Sequence, residues 1–257
     1  MSLTVCARMI EDADPDRFAA TMAAPPDTRA GLWPLYALNL EVARAAYASD
    51  EPMIAEMRLQ WWVDQIGWLA EGKAPQGEVA AALQPLVRAY PSICAPLITL
   101  IEARRWDCWR DPFADRAALE AYLDATAGGL VWAAALTLDA PDTSEPALRD
   151  FAFGAGLANW FDAVPALQTR GRQPLPDTGP KAIAELAGMG LRRIDQARAA
   201  KQLVPANIRP VLWPGWSARG RLKAAQRVPE RVADGRLPDQ PHRRGAALML
   251  RAISGYW

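Results

Sequence analysis

Apolar residues recur every three or four positions along almost the whole chain, and the strict alternation of a half-buried strand is nearly absent. The pattern predicts an all-α protein punctuated by proline and glycine. A first short helix is expected to start with Asp14 as its cap and Pro15 in its first turn. A second is expected over 27–48, bent at Pro34. Asp50 is expected to cap a third, with Pro52 in its first turn and an end near Gly72. Shorter helices follow over 78–89 and 93–106, and another runs from Asp115 to Leu138. After a turn at 141–145, a long helix spans 146–168, its end kinked or frayed by Pro165. A proline-rich loop covers 171–180, and a helix covers 181–203. Residues 205–241 read as irregular, and a last helix spans 243–256.

The 257 residues are 51% hydrophobic, enough for one sizeable core, so a single domain over 1–257 is expected. Lys plus Arg and Asp plus Glu both number 29. With no net field, a nucleic-acid partner is not expected. The cysteines, Cys6, Cys94 and Cys108, are odd in number and lack C-x-x-C spacing, which argues against a disulfide framework. The one histidine, His242, lies between Pro241 and Arg243 and reads as a solvated helix start rather than a catalytic base. The longest uncharged apolar run, 125–138, is shorter than the roughly 20 residues of a spanning helix. Acids at Glu11, Asp12, Asp14 and Asp16 speak against an organellar transit peptide, so a cytoplasmic protein is expected.

Four segments share an order and spacing: Leu35-Tyr36-Ala37-Leu38; Arg58-Leu59-Gln60-Trp61-Trp62; Leu119-Glu120-Ala121-Tyr122 followed by Ala127-Gly128; and Asn159 followed by Gly171-Arg172-Gln173-Pro174-Leu175-Pro176. Together they resemble the squalene/phytoene synthase family, most clearly over 30–180. The resemblance implies an all-α isoprenoid-synthase-like helical bundle around a central cavity.

Active members of that family join two prenyl diphosphates, using magnesium held by two D-x-x-x-D clusters on facing helices. Aspartates at i and i+4 share one helix face, and magnesium takes oxygen ligands. In the register set by Leu35–Leu38, the acid positions fall on Ala43, Arg44 and Tyr47. In the second helix, Asn159 is followed by Ala163 and Leu167, where the family has aspartate. Glu41 projects about 200° around the helix from Ala43, and Asp162 about 100° from Ala163, so neither restores a paired face.

The run Ala37-Leu38-Asn39-Leu40-Glu41-Val42-Ala43 is similar to the A-F-N-x-E-x-A segment of the superfamily's mitochondrial complex I assembly-factor branch, which also lacks the aspartates. Ala163 and Pro165 agree with that branch as well. The resemblance implies a non-catalytic bacterial relative with no catalytic residues, no metal and no cofactor, and with complex I subunits as partners. It also implies a vestigial pocket lined by Asn39, Glu41, Ala43, Arg58, Gln60, Tyr122, Asn159, Ala163, Leu167 and Arg172. An active prenyltransferase, which would need magnesium, and an isoprenoid or quinone carrier are the alternatives.

Trp61 and Trp68 share a helix face and read as core; Trp213, Trp216 and Trp257 are the better candidates for a partner or lipid contact, with plain burial the favoured reading for them too. The basic set Arg219, Arg221, Lys223, Arg227 and Arg231 reads first as a solvated face. Attraction to the inner face of the cytoplasmic membrane is its sharper reading. Gly128-Gly129 and Gly154/Gly156 are expected to allow close helix packing.

Overall fold

The computed structural model describes residues 2–47, 49, 51–239 and 241–257. Among them there is no strand. The helices are α1 (Ser2–Ala13), α2 (Pro15–Ala23), α3 (Pro26–Ala45), α4 (Pro52–Ala70), α5 (Glu78–Ala89), α6 (Cys94–Ala103), α7 (Arg116–Leu123), α8 (Gly129–Leu136), α9 (Glu145–Thr169), α10 (Pro180–Ala199), α11 (Ala218–Arg227), α12 (Glu230–Ala233) and α13 (Pro241–Ser254).

The expected cap at Asp14 is present, and the structure adds one at Asp115. The Arg17 amide donates to Asp14 Oδ1 over 2.9 Å, and the Ala118 amide donates to Asp115 Oδ1 over 2.8 Å. Each satisfies one of the orphan donors of a helix start. Ala48 and Asp50, the expected end of one helix and cap of the next, lie outside the described residues. Neither Pro34 nor Pro165 ends its helix: α3 and α9 run through them, as α5 does through Pro85.

Three elements depart from expectation. Helix α1 was not expected; Cys6 and Ile10, one turn apart, bury its apolar side against α3 and α5. The expected helix over 115–138 is broken by a π-turn, Asp124–Gly128, in which the Thr126 hydroxyl bonds the Tyr122 carbonyl over 2.7 Å. Residues 205–241 are far from irregular. They hold a 3₁₀ stretch, Arg209–Gly215, then α11 and α12. A narrow stripe, Ala218, Leu222 and Ala225, is all that α11 buries, so its basic composition hid the period.

Helix α9 is the spine, packed along α10 and against α8, α11 and the π-turn. Gly154 allows the closest approach, since a Cβ there would stand 2.8 Å from the Gly190 carbonyl of α10. Helix α8 is apolar on every side and accordingly buried. Helix α3 lies among α1, α4, α5 and α8. The three cysteines are free. Among the described residues no single helix is long and apolar enough to cross a membrane; α5 with the segment Pro91–Cys108 passes by length and composition but is bent by 120°.

Candidate functional site

One cavity of about 650 Å³ opens between α2, α3, α8, α9 and the 3₁₀ stretch. Its walls are apolar: Leu130 and Val131 of α8, Phe151, Ala152 and Ala155 of α9, and Val211, Leu212 and Pro214. Gly156 keeps one wall thin, because a Cβ there would stand 2.5 Å from that of Ala127. Tyr36, a residue of the first family segment, is buried beside the cavity, and burial pushes its phenol up to about 12.

The rim is charged, and its charges come from distant parts of the chain. The Arg17 guanidinium sits 4.9 Å over the Tyr36 ring, with Nε 3.3 Å from Asp14 Oδ2. Its Nε and Nη1 are buried without a hydrogen-bond partner. Arg221 of α11 lies 2.7 Å from Asp162 and 3.7 Å from Asp16, and donates to Asn159 Oδ1 over 3.2 Å. Arg244 of α13 donates to Asp16 Oδ1 over 2.8 Å. The Asp162 carboxyl is raised above its ordinary value by burial, which outweighs the pull of Arg221. Each rim carboxylate named here is paired with an arginine, and Asp162 also feels the neighbouring carboxylates of Asp239 and Asp16, which raise it further.

The residues expected in the pocket divide three ways. Asn159 alone of them lines the cavity. Glu41 and Arg58 line a separate outer groove of about 710 Å³ with Arg44, Ile54, Met57 and Trp61. Gln60 is exposed there too, bonding Asp64 over 2.9 Å and Arg105 over 2.6 Å. Glu41 and Arg58 go outward because α3 and α4 turn those faces away from α9. Asn39 and Ala43 are half-buried and line neither space, Ala163 is half-buried in packing, and Leu167 is buried in the core.

Tyr122 and Arg172 belong to a third place, a closed polar knot. The Tyr122 hydroxyl lies 2.9 Å from both Asp107 oxygens, and Arg104 Nη1 reaches Tyr122 Oη at 2.8 Å and Asp107 Oδ2 at 3.0 Å. Arg172 donates to the carbonyls of Trp106, Asp107 and Trp109 and stacks over the Trp106 ring. Trp106, Phe113, Tyr122 and Trp160 pack around the knot, and Trp160 Nε1 donates to the Pro174 carbonyl over 2.8 Å. The Gly171–Pro176 motif thus serves to lock one loop against another.

Arg17, Asp16, Arg221 and Arg244 were not expected at the site. Arg221 was read as part of a solvated face, and nothing local in the sequence brings α2, α11 and α13 to one rim. The core expectation for Trp61 and Trp68 is corrected, and plain burial holds for Trp213 and Trp257. Trp62 is the buried one of its pair, while Trp61 and Trp68 are half-buried. Trp213 and Trp257 are buried, and Trp216 is half-buried, because the 3₁₀ stretch and the final turn fold them inward.

The donor set does not fit a magnesium–diphosphate clamp. Arg44 is exposed, Tyr47 is covered by Arg170 at 4.4 Å, and Ala43, Ala163 and Leu167 offer no oxygen. No three His, Cys, Asp or Glu among the described residues are grouped to hold a metal. His242 is exposed and away from the cavity lining. What the arrangement can do is sequester an apolar chain beneath a polar rim.

A helical bundle of this order, closed around one apolar cavity, has the isoprenoid-synthase fold. It is similar to a dehydrosqualene synthase solved with ligand, with a TM-score of 0.81, 15% identity, and coverage of 99% of this chain and 97% of that one. It is also similar to the squalene synthase HpnC of Alicyclobacillus acidocaldarius, with a TM-score of 0.73, 16% identity, and coverage of 93% and 95%. Residues 10–179 match the Squalene/phytoene synthase family, and the chain belongs to it. Among characterised relatives it resembles bovine (Bos taurus) NADH dehydrogenase (ubiquinone) complex I, assembly factor 6, at 23% identity over 172 residues, 66% of this chain and 52% of that protein. It also resembles the Drosophila melanogaster homolog, at 32% identity over 84 residues, 32% of this chain and 25% of that protein. The chain thus spans about half of the bovine relative and a quarter of the fly one.

Proposed function

We propose that this chain is a non-catalytic member of the squalene/phytoene synthase family that serves the assembly of a respiratory NADH dehydrogenase. The observation that carries the first half is the replacement of the metal-binding acids by Ala43, Arg44, Tyr47, Ala163 and Leu167. The nearest substitutes do not restore them: Asp162 is tied to Arg221, and Glu41 lies in the outer groove. Without paired carboxylates there is nothing to hold the divalent cation that takes up the developing charge of a diphosphate. The likeness to assembly factor 6 supports the second half, with complex I subunits as the partners. The same reading makes the chain a bacterial, cytoplasmic protein that needs no cofactor.

Incubation with farnesyl or geranylgeranyl diphosphate and magnesium is expected to give no condensed product. Turnover that disappears in Glu41→Ala or Asp162→Ala would establish a prenyltransferase instead. Deletion of the gene is expected to lower assembled complex I, and normal complex I would count against the assembly role.

A second reading, an isoprenoid or quinone carrier, is favoured by the 650 Å³ apolar cavity itself. A retained lipid in the native mass spectrum of the purified protein supports it, and its absence speaks against it.

A further inference from the structure

One side of the cavity is built of hydrogen-bond donors. Tyr36 of α3 lines it and is only 2% exposed, yet its hydroxyl has no hydrogen-bond partner among the described residues and borders the open space. Burial pushes that phenol up to about 12, so at neutral pH it carries its proton and donates. Arg17 of α2 lines the same side and stacks over the Tyr36 ring at 4.9 Å. Its guanidinium makes no hydrogen bond among the described residues, and its ion pair is the 3.3 Å contact with Asp14. An arginine donates and never accepts. A ligand head seated here must therefore be an acceptor.

Charge decides which acceptor. The lining holds three arginines, Arg17, Arg221 and Arg244, and three aspartates, Asp14, Asp16 and Asp239. Asp162, 2.7 Å from Arg221, adds a further acid at the edge. Arg221 and Arg244 are drawn onto Asp16 and Asp162 instead of being offered to a ligand. A diphosphate would meet no net positive charge and would have to break those pairs, whereas a neutral head meets neither cost. From this combination we infer that the cavity takes a lipid with a neutral carbonyl head, of the ketone or quinone kind. Its oxygen accepts from the Tyr36 hydroxyl, with the Arg17 guanidinium beside it, and its tail lies along Leu130, Val131 and Leu212. Arg221 reaches Asn159, Asp162 and Asp16 together, so the oxygens beside Ala163 already hold a cation of this chain. Uptake is accordingly independent of magnesium. The inference rests on the carrier reading and deepens it by naming the head group.

Two compounds with one tail separate the head groups: farnesylacetone, a ketone, and farnesyl diphosphate. Each is titrated into the full chain by isothermal calorimetry, with magnesium and with EDTA. The ketone is expected to bind about tenfold or more tightly than the diphosphate, and equally in both buffers. Tyr36→Phe keeps the ring under Arg17; it is expected to weaken the ketone by about three- to tenfold, with unchanged helical circular dichroism. Asp239→Asn tips the lining positive and is expected to strengthen the diphosphate severalfold. A wild type that binds the diphosphate as tightly as the ketone would overturn the neutral head and leave a carrier standing. So would a Tyr36→Phe variant that holds the ketone undiminished. Uptake of neither compound would remove the carrier reading, and the inference with it.

Discussion

Two polar centres flank the C-terminal half of α9, a closed one at Trp160 and a partly exposed one at Asn159 and Asp162, and they are built differently. In the Arg104–Asp107–Tyr122–Arg172 knot, every carboxylate oxygen and hydroxyl has a partner and aromatic rings exclude water. At the cavity rim, Arg221 and Arg244 share Asp16 and Arg221 also reaches Asp162, all at partly exposed contacts; buried N–H groups without partners occur in both places, at Arg17 of the rim and at Arg104, Trp106 and Arg172 of the knot. The motif residues Tyr122 and Arg172 lie in the knot, whereas Ala43, Ala163 and Leu167, where the family resemblance implies acids, offer no ligating oxygen. Residues that hold the fold and residues that hold a ligand can lie in one motif set and part company.

The hardest way to break the contrast is Asp107→Ala. It strands the half-buried Arg104 guanidinium beside Tyr122, and a loss of about 3–5 kcal/mol is expected from the midpoint of denaturant unfolding. Gly156→Ala presses on Ala127 and narrows the cavity; it is expected to cost about 1–3 kcal/mol and to reduce uptake of an apolar fluorescent probe. Asp16→Ala removes the shared partner of Arg221 and Arg244 at a partly exposed site, so about 1 kcal/mol or less is expected, largely masked by salt. A loss as large as that of Asp107→Ala would erase the distinction between the two centres.

The smallest effect is alkaline. Burial raises the Tyr36 phenol from 10.0 to about 12, so the fold favours the protonated form. That contribution is complete below pH 10 and is lost as pH rises through about 12. Tyr122 is raised as well, by burial first. Phenolate absorbance is expected to fall short of the chain's five tyrosines until unfolding releases both.

The helical class was legible because the 3.6-residue period pervades the chain, and Asp14 with Pro15 marked where α2 begins. Helix α11 was not, since only Ala218, Leu222 and Ala225 carry its apolar signal among four basic residues. The loss of the acids could be read directly, because Ala163 and Leu167 lack ligating oxygens in any conformation. The rim could not. Arg17, Arg221 and Arg244 lie far apart in the chain and become neighbours only through the packing of α2, α11 and α13. Glu41 and Arg58 were misplaced for a related reason: motif order fixes which helix a residue rides on, but not which way that helix is rolled.

Roll is also what the π-turn at Asp124–Gly128 controls. A π-turn accommodates one residue more than the α-helix around it, so it acts as a rotational shim between α7 and α8. Deleting Ala125 would let the turn close as ordinary helix and swing α8 by about 100°, carrying Leu130 and Val131 off the cavity wall. The width of the chamber thus depends on a spacer that adds only one small side chain, Ala127, to its wall.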